Sequence, residues 1–134
     1  MPNGNLDNRA KAEQGRAMTI LYVAIGGAIG AVLRYLVTLG VAFPFGTLAV
    51  NVVGSFVMGL MLVWLAARGL DRATPLVMTG VLGGFTTFSA FSLDTLKLVE
   101  AGRLSAAGGY VAGSVILSLV AIFLAVWISR GVLT

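Results

Sequence analysis

Four apolar stretches, each close to the length of a bilayer crossing and joined by short polar connections, constrain this chain more than any other feature. They run over about 18–40, 46–67, 74–96 and 105–129. An α-helix rising 1.5 Å per residue needs roughly 20 apolar residues to cross ~30 Å of hydrocarbon. With 58% hydrophobic and 10% charged residues and a mean hydropathy of +0.99, the composition is that of an integral membrane protein. Pro44 and Gly46 break helix in VAFPFG, while Arg68, Asp71 and Arg72 mark ARGLDRATP and Lys97, Glu100 and Arg103 mark KLVEAGRLS as connections. The expected fold class is all-α, one four-helix membrane domain over 18–134. The preceding MPNGNLDNRAKAEQGRA, residues 1–17, is polar and has no apolar h-region, so it is neither a secretory signal nor a span. It is expected to be a disordered tail, and Met18 at its end offers an alternative start.

The chain has no cysteine and no histidine. That removes disulfides, thiolate nucleophiles, Cys/His zinc sites and imidazole acid–base chemistry together, so an enzyme is not expected. Its net charge of +4 comes from basic residues scattered at segment ends, a pattern suited to a membrane surface and not to nucleic acid. Arg9, Lys11, Arg16, Arg68, Arg72 and Arg130 fall on one side of the membrane, and Arg34, Lys97 and Arg103 on the other. Without the three in the tail the two sides balance, and the positive-inside rule assigns no orientation. Either the tail holds its end in the cytoplasm or the protein inserts both ways.

Polar groups inside spans are costly and face protein or water. Thr47, Asn51 and Ser55 recur at i, i+4 and i+8 in the second span, and Tyr110, Ser114 and Ser118 do so in the fourth. Each set lies on one helical face. Asn51 reads either as a donor of two N–H groups to an anion or as a clamp between helices. Arg34 either snorkels to the interface or makes a vestibule electropositive. Asp94 and Glu100 are read at the far end of the third span, leaving no carboxylate in the middle of any span. Gly26/Gly30, Gly109/Gly113 and Ser55/Gly59 are small-xxx-small pairs that permit close helix packing. Such tight packing leaves little room for a conduit within one subunit and points to a dimer.

The stretch GVLGGFTTFSAFS, residues 80–92, interrupts a spanning pattern with paired glycines, paired threonines and three phenylalanines. Together with GGAIGAVLRY and GTLAVNVVGSFVMG, it resembles in order and spacing the signature segments of the Fluc (CrcB) family of bacterial fluoride channels, from Met18 to about Arg130. The resemblance implies an antiparallel, dual-topology homodimer in the bacterial inner membrane, with two fluoride pores and a central sodium ion. It implies a broken third helix at Gly83 to Thr87, with backbone carbonyls of Gly83 and Thr86 coordinating the sodium. Irregular backbone at membrane depth survives only where protein or a cavity covers it, and freed carbonyls suit a hard cation. A glycine kink that only improves packing is the alternative.

By the same resemblance Phe88 and Phe91 are pore phenylalanines offering positive ring edges. Asn51, Tyr110, Ser114 and Ser118 are polar pore residues, and Arg34 is the vestibule cation. Two positions depart from the pattern: Ile122 stands where some members continue the polar track with threonine, and Ala90 where threonine is common. A small multidrug-type four-helix exporter shares the length and span count but needs a carboxylate at membrane depth. A non-transporting assembly subunit would not explain the polar stripes.

Overall fold

The computed structural model describes residues 3–133. Helix α1 spans Asn3–Gly40, α2 Phe45–Arg68, α3 Gly83–Phe85, α4 Phe88–Glu100 and α5 Leu104–Leu133. A 3-10 turn at Asp71–Ala73 and a π-helical segment at Pro75–Leu82 precede α3. Four segments are long and apolar enough to cross a membrane: Leu6–Gly40, Phe45–Arg68, Asp71–Glu100 and Leu104–Leu133. They match the four expected runs, with most ends extended by a few residues and the first span beginning twelve residues earlier, at Leu6.

The expected disordered tail is a correction. Residues 1–2 lie outside the described residues, but from Asn3 the chain is already helical and continuous with the first span. Ala10, Lys11, Ala12, Glu13 and Gln14 favour helix. A helix already formed also extends without a new nucleation cost. The Lys11 ammonium lies 2.7 Å from Asp7 Oδ2 one turn away, both side chains largely in solvent, a pair worth only a few tenths of a kcal/mol, roughly 0.3–0.5. From Leu6 to Gly15 the extension is exposed.

Two turns close tightly. Gly69 ends α2 with φ 62°, and its amide bonds the Ala66 carbonyl while that of Leu70 reaches Leu65; the left-handed position suits glycine. Gly102, φ 72°, turns α4 into α5.

Packing divides the molecule into two seams: α1 lies along the π-helical segment and α3, and α2 lies along α5. Glycine sets the first. A Cβ on Gly26 would sit 2.9 Å from the Gly80 Cα, one on Gly84 2.6 Å from the Gly27 carbonyl oxygen, and one on Gly30 would collide with the Val81 carbonyl. In the second seam a Cβ on Gly59 would come 2.7 Å from the Ile122 carbonyl. Gly109 has nothing within 4 Å, so the expected close approach at Gly109/Gly113 is not made within the chain. Val50, Leu98 and Ala125 are fully enclosed, whereas Val120, Phe123 and Trp127 point outward, as suits a surface facing lipid.

Candidate functional site

Between α3 and α4, Thr86 (φ −78°, ψ 154°) and Thr87 (φ −154°, ψ 123°) are extended. Both are β-branched, and branching at Cβ favours extended backbone over helix. Each threonine closes one side of the interruption. The Thr86 amide and Oγ1 both donate to the Leu82 carbonyl, at 3.0 and 2.9 Å, finishing the incoming turn. The Thr87 Oγ1 accepts from the Ala90 amide at 3.1 Å and caps α4. Ala90, the position that departs from the family pattern, therefore contributes through its backbone. Gly54 makes room for the interruption, since a Cβ there would collide with the Thr86 methyl and stand 3.2 Å from the Phe85 ring.

Asn51 holds Thr87 from both sides. Its Nδ2 donates to the Thr87 carbonyl at 3.0 Å and its Oδ1 accepts from the Thr87 amide at 2.8 Å. The amide thus acts as a clamp, and one N–H is left over from this pair for another acceptor. Arg34 Nη1 donates to the Thr86 carbonyl at 3.3 Å. It lies about 9 Å along α1 from Gly40 at 1.5 Å per residue and is directed at the interruption.

Gly83 is a correction to the expected break at Gly83 to Thr87. It is helical, φ −65° and ψ −35°, and the extended backbone begins at Thr86. The Gly83 carbonyl is nevertheless released from the α-helical ladder, because the amide that would close on it, that of Thr87, is taken by Asn51. The Thr86 carbonyl is turned out of the ladder by its own dihedrals. Two carbonyl oxygens outside the ladder match a hard cation in donor chemistry, but that of Thr86 already accepts from Arg34, and the two make only part of a ligand set.

Beside the interruption a groove of about 530 Å³ is lined by Asn51, Ser55, Gly83, Thr86, Phe88, Phe91, Ser114 and Ser118. Among the described residues, the buried hydroxyl oxygens of Ser114 and Ser118 have no hydrogen-bond partner. Such groups are normally satisfied, and an unmet pair facing a groove marks capacity for a ligand. Phe88 is 77% exposed and Phe91 9%. Their ring centroids stand 5.3 Å apart, and Phe91 meets Tyr110 at 5.5 Å.

Tyr110 does not join the serines. Its hydroxyl points to Asp94 Oδ2 at 3.4 Å, and the Thr47 hydroxyl donates to the same oxygen at 2.6 Å. The two polar stripes therefore split alike, with Thr47 and Tyr110 at a buried carboxylate and Ser55, Ser114 and Ser118 at the groove. Asp94 stands near the end of the third span, as expected, but is only 9% exposed, an enclosure the sequence reading did not foresee. The missed signal was positional: Asp94 falls three residues after Phe91 and seven after Thr87, on the inward face of α4. Ile122 packs against α2 at Gly59, so the polar lining ends at Ser118.

Residues 21–126 match the family described as CrcB-like protein, Camphor Resistance (CrcB). A protein of Roseobacter denitrificans named "Fluoride-specific ion channel FluC" is 52% identical over 122 residues, 85% of this chain and 97% of its own length. Proteins with the same name from Paracoccus denitrificans and Ruegeria sp. are each 50% identical, covering 84% and 87% of this chain and 95% and 98% of their own.

Proposed function

The chain belongs to the CrcB family, and from that membership we propose that it is a fluoride-selective ion channel, a multi-pass membrane protein that lets fluoride leave the cell passively. It is a channel and not an enzyme. The observation that carries this reading is the pair of unpartnered hydroxyls at Ser114 and Ser118 in a groove edged by Phe88. Fluoride is small and strongly hydrated, so a pore must replace its water with short donors; hydroxyls, the spare Asn51 N–H and ring edges are such donors. Chloride is larger and accepts hydrogen bonds less well, so the same lining rejects it. Reconstituted vesicles loaded with fluoride or chloride test this: fluoride efflux without chloride efflux is expected, and equal or absent efflux overturns it.

The finer assembly is part of the same proposal. The groove is open on one side, and a second, antiparallel copy would complete it, giving a dual-topology homodimer in the inner membrane. The Gly83 and Thr86 carbonyls would hold a structural sodium ion, with the second copy supplying the remaining ligands. When bound, the ion would add fixed positive potential beside the path. Within the chain, Asn51 keeps the Gly83 carbonyl free and Arg34 lies against the Thr86 carbonyl. Exchanging sodium for a bulky organic cation during purification should shift the population toward monomer in light-scattering measurements; an unchanged dimer fraction overturns the sodium assignment.

Asp94 gives the exporter reading its supporting observation, a carboxylate enclosed by the fold near the end of the third span. Its oxygen is already occupied by Thr47 and Tyr110, however, and proton-driven efflux of a lipophilic cation from the same vesicles is expected to be absent.

A further inference from the structure

A second, smaller cavity of about 120 Å³ opens near the junction of α1 and α2, with Thr38, Phe43, Thr47 and Asp94 in its wall. Thr47 and Asp94 begin a row of touching side chains that runs from this cavity to the groove: Asp94 on Thr47, Tyr110 on Asp94, Phe91 against Tyr110, with Phe91 in the groove lining. The smaller one lies nearer the ends of α1 and α4. Over its Phe43 wall stands the Lys97 ammonium, 5.9 Å from the ring centroid.

Lys97 follows Asp94 by one helical turn, and both it and Phe43 are exposed. An anion approaching this cavity meets the Asp94 carboxylate in its wall, which repels it. A cation at the rim offsets that repulsion and raises the local anion concentration. We propose that this cavity is the water-side mouth of the fluoride path at the α1–α2 end, and that Lys97, held over Phe43, is its anion-collecting residue. The inference rests on the channel reading and adds to it a mouth and a rate-setting side chain outside the donor groove.

Rim charges act through a screened field, whose reach is about 30 Å at 10 mM salt and 8 Å at 150 mM. The test is fluoride efflux in vesicles of neutral lipid, measured at low and high ionic strength for wild type, Lys97→Glu, Lys97→Arg and Arg103→Glu. Lys97→Glu should slow efflux roughly three- to tenfold at low salt, with most of the deficit gone at high salt. Lys97→Arg should stay near wild type. Arg103→Glu, at the same end of the molecule but outside the cavity wall, should change efflux less than twofold. Monodisperse elution of each variant identifies those that fold. An unchanged rate in Lys97→Glu, a deficit of equal size at both salt concentrations, or an equal effect of Arg103→Glu overturns the assignment. Absence of fluoride efflux in wild type overturns the channel reading itself, and this inference with it.

Discussion

At the scale of single residues, the polar side chains around the interruption fall into two kinds with opposite expected signatures. Asn51 satisfies both backbone groups of Thr87. Removing it leaves an amide and a carbonyl unmet at membrane depth, a cost of about 1–3 kcal/mol for each. Asn51→Ala should therefore lower the melting temperature in detergent and abolish fluoride efflux together. Among the described residues, the Ser114 and Ser118 hydroxyls bond to nothing, so replacing either with alanine removes an unmet polar group. Ser114→Ala and Ser118→Ala should leave thermal stability unchanged or slightly higher while slowing efflux at least tenfold. A parallel loss of stability and efflux in the serine variants would show that they hold the fold and do not face the ion. Phe88 is largely exposed, so Phe88→Ile should likewise affect flux far more than melting.

At the scale of elements, glycine divides the helices into seams that tolerate no side chain and surfaces that do. Gly30→Ala should collapse expression or lower the melting temperature sharply, because the new methyl meets the Val81 carbonyl with no flexible atom to yield. Overpacking of this kind costs about 1–3 kcal/mol, and more where backbone must move. Gly83 is different: its dihedrals are helical and the nearest obstacle to a Cβ is the Met78 carbonyl at 3.5 Å. Gly83→Ala should keep or raise the stability of the single chain, by up to about 1 kcal/mol from helix propensity. A loss of dimer or of flux in that variant, read by light scattering and efflux, would locate the requirement for glycine in the second copy. The interruption itself needs Thr86, Thr87, Asn51 and Gly54 acting together, since the threonines end and restart helix and the other two hold and admit them.

For the whole molecule, the helical extension before the first span is the part most separable from the rest. Its side chains from Leu6 to Gly15 are exposed. Deleting residues 1–17 should leave melting temperature and fluoride efflux within error of wild type. It also removes Arg9, Lys11 and Arg16, leaving three basic residues on each side. Tags at the carboxyl terminus should then label from both faces of the membrane; labelling from one face alone would overturn dual topology.

Spans, loops and membrane class were legible in the sequence because each depends on hydropathy summed along contiguous residues, which needs no partner. The location of the interruption was partly legible, since paired threonines in an apolar run carry their own backbone preference; the family resemblance placed its start at Gly83, three residues before the extended backbone begins. The extension was misread because polarity was weighed above helix propensity and continuity with an existing helix. Tertiary structure alone decided where each polar stripe is used. Thr47 and Asn51 share a face four residues apart, yet one meets the Asp94 carboxylate and the other the Thr87 backbone, because α4 passes them at different depths. That the Thr47 hydroxyl is satisfied and, among the described residues, those of Ser114 and Ser118 are not depends on atoms from other helices. The free pair at Ser114 and Ser118, the engaged Asn51 and the buried Asp94 therefore became distinguishable only once the four helices were packed.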